Sequence, residues 1–381
     1  MDFSWTPKQE QLRKDVVQFA RQSLSCDMIK HDREGVFNHD AWNKCGDFGV
    51  HGWLIPSAYG GSGLDILTTI YGMQALGYAC KDNGMLFGMN AHIWACEMPL
   101  LSFGNNEQKE KYLPLLASGR WIGAHAATEP QAGSDIFNLT TIAKKEGDEY
   151  IINGTKHYVT NGAVADLFIV FASIDLALGE KGLTVFLIEK GTPGLEISPV
   201  ISTMGDRTAQ VTRLELKNCV VPARSRLGQE GAGMTIFTHS MEWERGFILG
   251  TAVGTMQRIL EQSIDYARKH KQFGQSIAKF QLVSTKLVDM KLLLESAKMH
   301  LYKMAWMKEQ RKIALLEAAI TNLFISEAWV ELCMKAIEIH GGNGYMTELE
   351  LERELRDAIG SKFYSGTSEI QRAVIAKFIG A

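Results

Sequence analysis

EYIINGTKHYVTNGAVADLFIVFASI, Glu149 to Ile174, decides what kind of chain this is. It is rich in β-branched and aromatic residues, and Gly and Asn turn signals interrupt it, so it reads as strands rather than helix. GLTVFLIEK (Gly182 to Lys190), GLEISPV (Gly194 to Val200) and VTRLELKNCVVP (Val211 to Pro222) continue that texture. Together they predict a β domain of roughly a hundred residues.

Both flanks carry the helical period instead. TPKQEQLRKDVVQFARQSL opens on a Thr6–Pro7 cap signal, YGGSGLD (Tyr59 to Asp65) interrupts the period, and LTTIYGMQALGYAC resumes it. Beyond the β segment, FILGTAVGTMQRILEQSIDYARKH, the run from Phe280 to Lys312, and ALLEAAITNLFISEAWVELCMKAIEI are long amphipathic stretches that suit a helix bundle. The expected class is α+β in three domains: an N-terminal helical domain over 1–120, a middle β domain over 121–226 and a C-terminal helical bundle over 227–381.

Bulk properties narrow the function. A chain of 381 residues exceeds one small domain. A formal net charge of −3 argues against a nucleic-acid binder, which would be clearly basic, and residues 331–381 mix acids and bases evenly. Six scattered cysteines form no CxxC pair, which predicts free thiols and no metal site. No run of about 18 apolar residues occurs, and MDFSWTPKQEQLRKD lacks the apolar core of a signal peptide, so no membrane span and a cytoplasmic location are expected. The Gly-rich YGGSGLD, GQEGAGM and HGGNGYM do not follow a strand as GxGxxG, nor end in GK[ST], so they read as turns and helix stops.

Six further stretches carry a specific likeness: AATEPQAGSD (Ala126 to Asp135), YVTNG (Tyr158 to Gly162), KQFGQSIAKFQ (Lys271 to Gln281), IHGGNGY (Ile339 to Tyr345), LRDA (Leu355 to Ala358) and SGTSEIQR (Ser365 to Arg372). In order and spacing, from the opening MDF to AVIAKFIG, the chain resembles the acyl-CoA dehydrogenase family. The resemblance implies an α–β–α fold with a C-terminal four-helix bundle, a tightly held FAD and a homotetramer or dimer. It places Thr128 at the polar edge of the flavin ring, Ser134 near flavin and thioester, and Tyr158 and Thr160 over the other ring face. Thr367 and Glu369 would close the site, and Phe273, Gln281, Gly341 and Gly342 complete the implied cofactor set. The family's Arg before QFG, which meets the FAD pyrophosphate across a subunit interface, is His270 here, and its Gln before IHGG is Glu338. Both changes should weaken that contact, with Arg268, Lys269 or Lys271 placed to compensate.

The chemistry needs a base that removes the proton α to a thioester carbonyl while hydride leaves the β-carbon. A carboxylate in a dry pocket suits that task. Many family members place it directly before GTS, where this chain has Ser365, too weak a base alone. Isovaleryl and long-chain members place the acid on an earlier helix, and Glu244 of HSMEWERGFILGTAVGTM falls on that position. The bland alternative is that Glu242 and Glu244 belong to a solvated helix start. Arg245 would meet the pantetheine-phosphate side of the substrate, with Trp243, Ser134, Tyr364 and Ser365 lining the pocket.

MEWERG with SGTSEIQ is similar to the branch that oxidises prolyl groups on a carrier protein. That likeness implies an acyl or peptidyl carrier protein bearing phosphopantetheine as partner, neither nucleic acid nor membrane, and a pyrroline or pyrrole thioester as product. Lys269 with Lys271, or Lys308 with Arg311 and Lys312, could dock the carrier, but each reads first as a solvated helix face. The alternatives are a short branched-chain acyl-CoA dehydrogenase, a flavin oxidase or monooxygenase, and a DNA-binding member of the fold.

Overall fold

The computed structural model describes residues 4–381, so the opening MDF of the family likeness lies outside them. Helices α1 (Pro7–Ser23), α2 (Met28–Glu34), α3 (His39–Asp47), α4 (Ile66–Ala79), α5 (Asn83–Asn90), α6 (Met98–Phe103) and α7 (Asn106–Ala117) come first, with a π-helical segment, Ala91–Glu97, joining α5 to α6. The cap signal at the start holds: the Thr6 hydroxyl accepts from the Gln9 backbone N–H, and the Gln9 side chain accepts from the Thr6 N–H.

Strands follow: β1 (Gly123–Ala126), β2 (Ile142–Glu146), β3 (Glu149–Val159), β4 (Leu167–Ser173), β5 (Leu183–Glu189), β6 (Leu195–Ile197), β7 (Thr212–Pro222) and β8 (Arg226–Leu227). They make one sheet in the order β6-β7-β3-β2-β4-β5-β8, with β1 pairing parallel to β4. Every residue of β4 is buried, because both faces of the sheet are covered there. Leu167, Ile169 and Phe171 join the core shared with the helices, whereas Phe168 and Val170 join a second core on the opposite face.

The helical texture then returns in α8 (Gly233–Phe247), α9 (Gly250–Lys269), α10 (Gln281–Glu309), α11 (Leu315–His340), α12 (Gly342–Tyr345), α13 (Leu351–Gly360) and α14 (Ser368–Ile379). A short hairpin, β9 (Lys271–Gln272) and β10 (Gln275–Ser276), separates α9 from α10. Among the described residues no helix is long and apolar enough to cross a membrane.

α4 and α9 lie unusually close. A Cβ on Gly77 would sit 1.9 Å from the Thr251 carbonyl, and one on Gly254 would sit 1.9 Å from the Gln74 carbonyl, so only glycine fits at either crossing point. Buried polar groups tie the three parts together. The Asp82 carboxylate caps α5 at Met85 N–H and accepts from the Thr208 hydroxyl of the β region. Asn83 donates to Glu354 and Asp357 of α13, and the Asp206 N–H donates to Asp357. These contacts fix the end of α13, and so the loop that follows it.

Candidate active site

That loop, Ser361 to Thr367, meets the last turn of α8. Glu244 lies in this last turn, only 8% exposed. The alternative of a solvated helix start is thereby corrected: both acids lie in the C-terminal half of the helix and point inward. Glu242 is equally buried, pairs with Lys308 at 2.9 Å and accepts from the Ala314 N–H.

Glu244 Oε1 accepts a hydrogen bond from the Ser365 hydroxyl at 2.7 Å. Its Oε2 is buried and has no hydrogen-bond partner. Burial raises the Glu244 pKa, and the Ser365 hydroxyl and the Arg245 charge offset part of that rise. A buried carboxylate with one oxygen held and the other free has the geometry of a general base.

The loop itself is held tightly. Ser365 has φ +59 and Gly366 φ +95, both left-handed. The Ser365 carbonyl accepts from Arg245 Nε at 2.9 Å and from Gln371 Nε2 at 3.0 Å, and Gln371 also donates to the Gly366 carbonyl. Arg245 is thus tied to the loop through Nε. Tyr364 stacks on Phe87 of α5 with ring centroids 4.1 Å apart. Burial, with the carboxyls of Asp206, Asp357 and Glu244 nearby, pushes its phenol well above the ordinary value and keeps it protonated. Thr367 caps α14 by accepting from the Ile370 N–H. Glu369 is exposed in that first turn, its pKa lowered by its own N–H and by the Thr367 hydroxyl.

Trp243 lies half-buried among aromatics: parallel to Trp94 at 6.0 Å, beside Phe247 at 5.7 Å, and donating to His239 Nε2. Lys308 Nζ lies 4.8 Å from the centroid of its ring. Lys308, paired with Glu242 and covering Trp243, is therefore part of the wall of this site and not a free docking cation.

The segments implied for the flavin ring come together at the C-terminal ends of β1 and β3. The Thr128 carbonyl accepts from the His157 N–H at 2.8 Å, which sets the TEP segment beside Tyr158 and Thr160. Tyr158 has φ +54 and leaves its ring 64% exposed, while Thr160 is half-buried and Ser134 is exposed in its loop. Beneath them Lys156 and Glu129 form a fully buried ion pair at 2.7 Å. Burial opposes the Glu129 charge, but Lys156 and the donors Thr140 and Thr141 outweigh it and hold its pKa down to about 2. Burial brings Lys156 down to about 8, with Glu129 pulling against it.

The remaining implied cofactor residues form a second exposed group. Phe273, φ +49 at the tip of the β9–β10 hairpin, is 92% exposed, and Gln281 opens α10. Gly341 and Gly342 face open space at the end of α11. Tyr266 links these pieces: it stacks on His270, donates to the His340 carbonyl and accepts from Asn343. Glu338, where the carboxylate should disturb a diphosphate, is ion-paired with Lys286, which offsets its charge.

Sequence reasoning missed three contributors. Phe87 gave no local signal, since its partner lies far along the chain. Gln371 stood in the quoted SGTSEIQR without a role, although its i+4 position from Thr367 puts it back over the loop. Lys156 did carry a signal, because it shares the inward side of β3 with Tyr150 and Ile152, where a cation demands a buried partner.

Comparison with known proteins supplies an independent view. The acyl-CoA dehydrogenase N-terminal, middle and C-terminal domains match residues 6–120, 124–219 and 231–380. An L-prolyl-[peptidyl-carrier protein] dehydrogenase of a Serratia species is 38% identical, with 100% of this chain and 98% of the relative covered. The crystal structure of the prolyl acyl carrier protein oxidase AnaB is 69% identical, with a TM-score of 0.98 over 99% of this chain and 100% of that one. PigA with FAD and proline is 37% identical, with a TM-score of 0.97 over 100% and 99%.

Proposed function

The chain belongs to the acyl-CoA dehydrogenase family, and from that premise we propose that it is an FAD-dependent enzyme oxidising an L-prolyl thioester. The prolyl group is carried on the phosphopantetheine arm of a peptidyl or acyl carrier protein, and the product is a pyrroline or pyrrole carboxyl thioester. The carrier and the prolyl group are supported by the names of the Serratia relative and of AnaB, and FAD by the PigA complex.

The single observation that carries the chemistry is the buried Glu244 with one oxygen free. Glu244 Oε2 takes the Cα proton of the prolyl group. The electron pair left behind forms a ring double bond as hydride departs from the adjacent ring carbon, and tautomerisation gives the pyrroline. Bound FAD supplies the two-electron acceptor for that hydride. The residues present fit such a group: Phe273 is exposed, Tyr158 is exposed with one ring face stacked on His157, and the backbone at Gly341–Gly342 has room beside it. Tyr158, Thr160, Thr128 and Ser134 would hold the ring end, and Phe273, Gln281, Gly341 and Gly342 the diphosphate end. Thr367 and Glu369 would close the site, while Trp243, Tyr364 and Ser365 shape the acyl pocket.

A homotetramer belongs to the same reading. Val288, Leu292, Met299 and Trp306 leave an exposed apolar face along α10 that a second copy would cover. The test of the function is mass spectrometry of a prolyl-loaded carrier protein after incubation with the enzyme. Loss of one or two H2 from the prolyl group supports the proposal. An unchanged carrier, with isovaleryl-CoA oxidised instead, would replace it with a branched-chain acyl-CoA dehydrogenase.

A further inference from the structure

Resting on that reading, we infer that Ser365 is a positioning residue, which fixes the Glu244 carboxylate so that Oε2 alone is presented to the Cα proton. A carboxylate has two equivalent oxygens, and free rotation would offer either at a range of angles. Here the Ser365 hydroxyl holds Oε1 at 2.7 Å, while Oε2 accepts from no donor. The oxygen left over is the reactive one.

The backbone around Ser365 shows that the hydroxyl is the reason for the residue. Its φ of +59 lies in the left-handed region, which a non-glycine residue seldom occupies. Glycine would adopt that conformation freely, as Gly366 does beside it. The strained conformation is maintained by Arg245 and Gln371, which both donate to the Ser365 carbonyl. Arg245 follows Glu244 directly, so the turn of helix that bears the base also anchors the residue that aligns it.

Other titratable groups face Glu244 from every side. Arg245 comes from its own helix, Tyr364 from the loop, and the Cys96 thiol from the π-helical segment. Burial pushes the Cys96 and Tyr364 pKa values up, so both stay neutral as Glu244 titrates. Besides Arg245, Ser365 is the group that favours the ionised form of Glu244.

The test compares Ser365→Ala with Ser365→Gly in the FAD-bound enzyme. Both remove the hydroxyl, but only glycine relieves the left-handed backbone. The rate of flavin bleaching by prolyl-loaded carrier rises with pH as Glu244 ionises. Both variants should shift this rise to higher pH by the same amount, leaving them about tenfold slower than wild type on the acid side. Infrared difference titration, with Glu244→Gln as the blank, should show the protonated Glu244 carbonyl band persisting to higher pH in both. That readout needs no substrate, so it stands even if the prolyl assignment fails. An unmoved titration in both variants, or a shift in only one, would overturn the role of the hydroxyl.

Discussion

Lys156 places an ammonium where β3 otherwise points Tyr150 and Ile152 into the interior, and all three are fully buried. Glu129 answers it, and the pair underlies both Thr128 and Tyr158. Lys156→Met leaves a carboxylate buried without its partner, a loss of about 3–5 kcal/mol. Urea denaturation should show that loss, and adding Glu129→Gln to the variant should recover part of it. The pH sign follows from the depressed Glu129 pKa. Its contribution is complete above the unfolded value of about 4.3 and is lost as pH falls toward about 2. Acid unfolding of wild type should therefore steepen across that window, and Lys156→Met should lack that component. At this scale the sequence singled out Glu244 through the family resemblance, which places an acid followed by Arg at this position, and the structure buries it. Phe87 against Tyr364 was not, since nothing local marks a contact between residues so distant in sequence.

Helix α9 meets α4 through Gly77 and Gly254, where backbone touches backbone. Gly254→Ala forces a methyl toward the Gln74 carbonyl, and separating the helices to admit it costs about 1–3 kcal/mol. The urea midpoint should fall accordingly, whereas Gly342→Ala, with open space around it, should leave the midpoint nearly unchanged. The helical period located these helices well, but it ran Phe247 to His270 as one segment. In the structure α8 ends at Phe247 and α9 starts at Gly250. The apolar pattern could not reveal that break, because Phe247, Ile248 and Leu249 are buried on both sides of it. The break matters, since it sets Glu244 at the end of its helix, opposite Ser365.

Taken as a whole, the molecule follows the helical, β, helical order visible from the texture change around Trp121. Hidden from the sequence was the polar seam that binds these parts, Asp82 to Thr208 and Asn83 and Asp206 to Asp357, because each bond joins segments far apart in the chain. The exposed apolar face of α10 predicts an assembly: light scattering should report a homotetramer, and Trp306→Lys should shift it toward smaller species. We propose that this assembly oxidises a carrier-bound prolyl thioester with Glu244 as base. The most direct measurement is anaerobic mixing of the FAD-bound enzyme with prolyl-loaded carrier protein, following the flavin absorbance. Wild type should bleach within a turnover, and Glu244→Gln, with its flavin still bound, should bleach slower by orders of magnitude. Bleaching of Glu244→Gln at a near-wild-type rate would contradict the account.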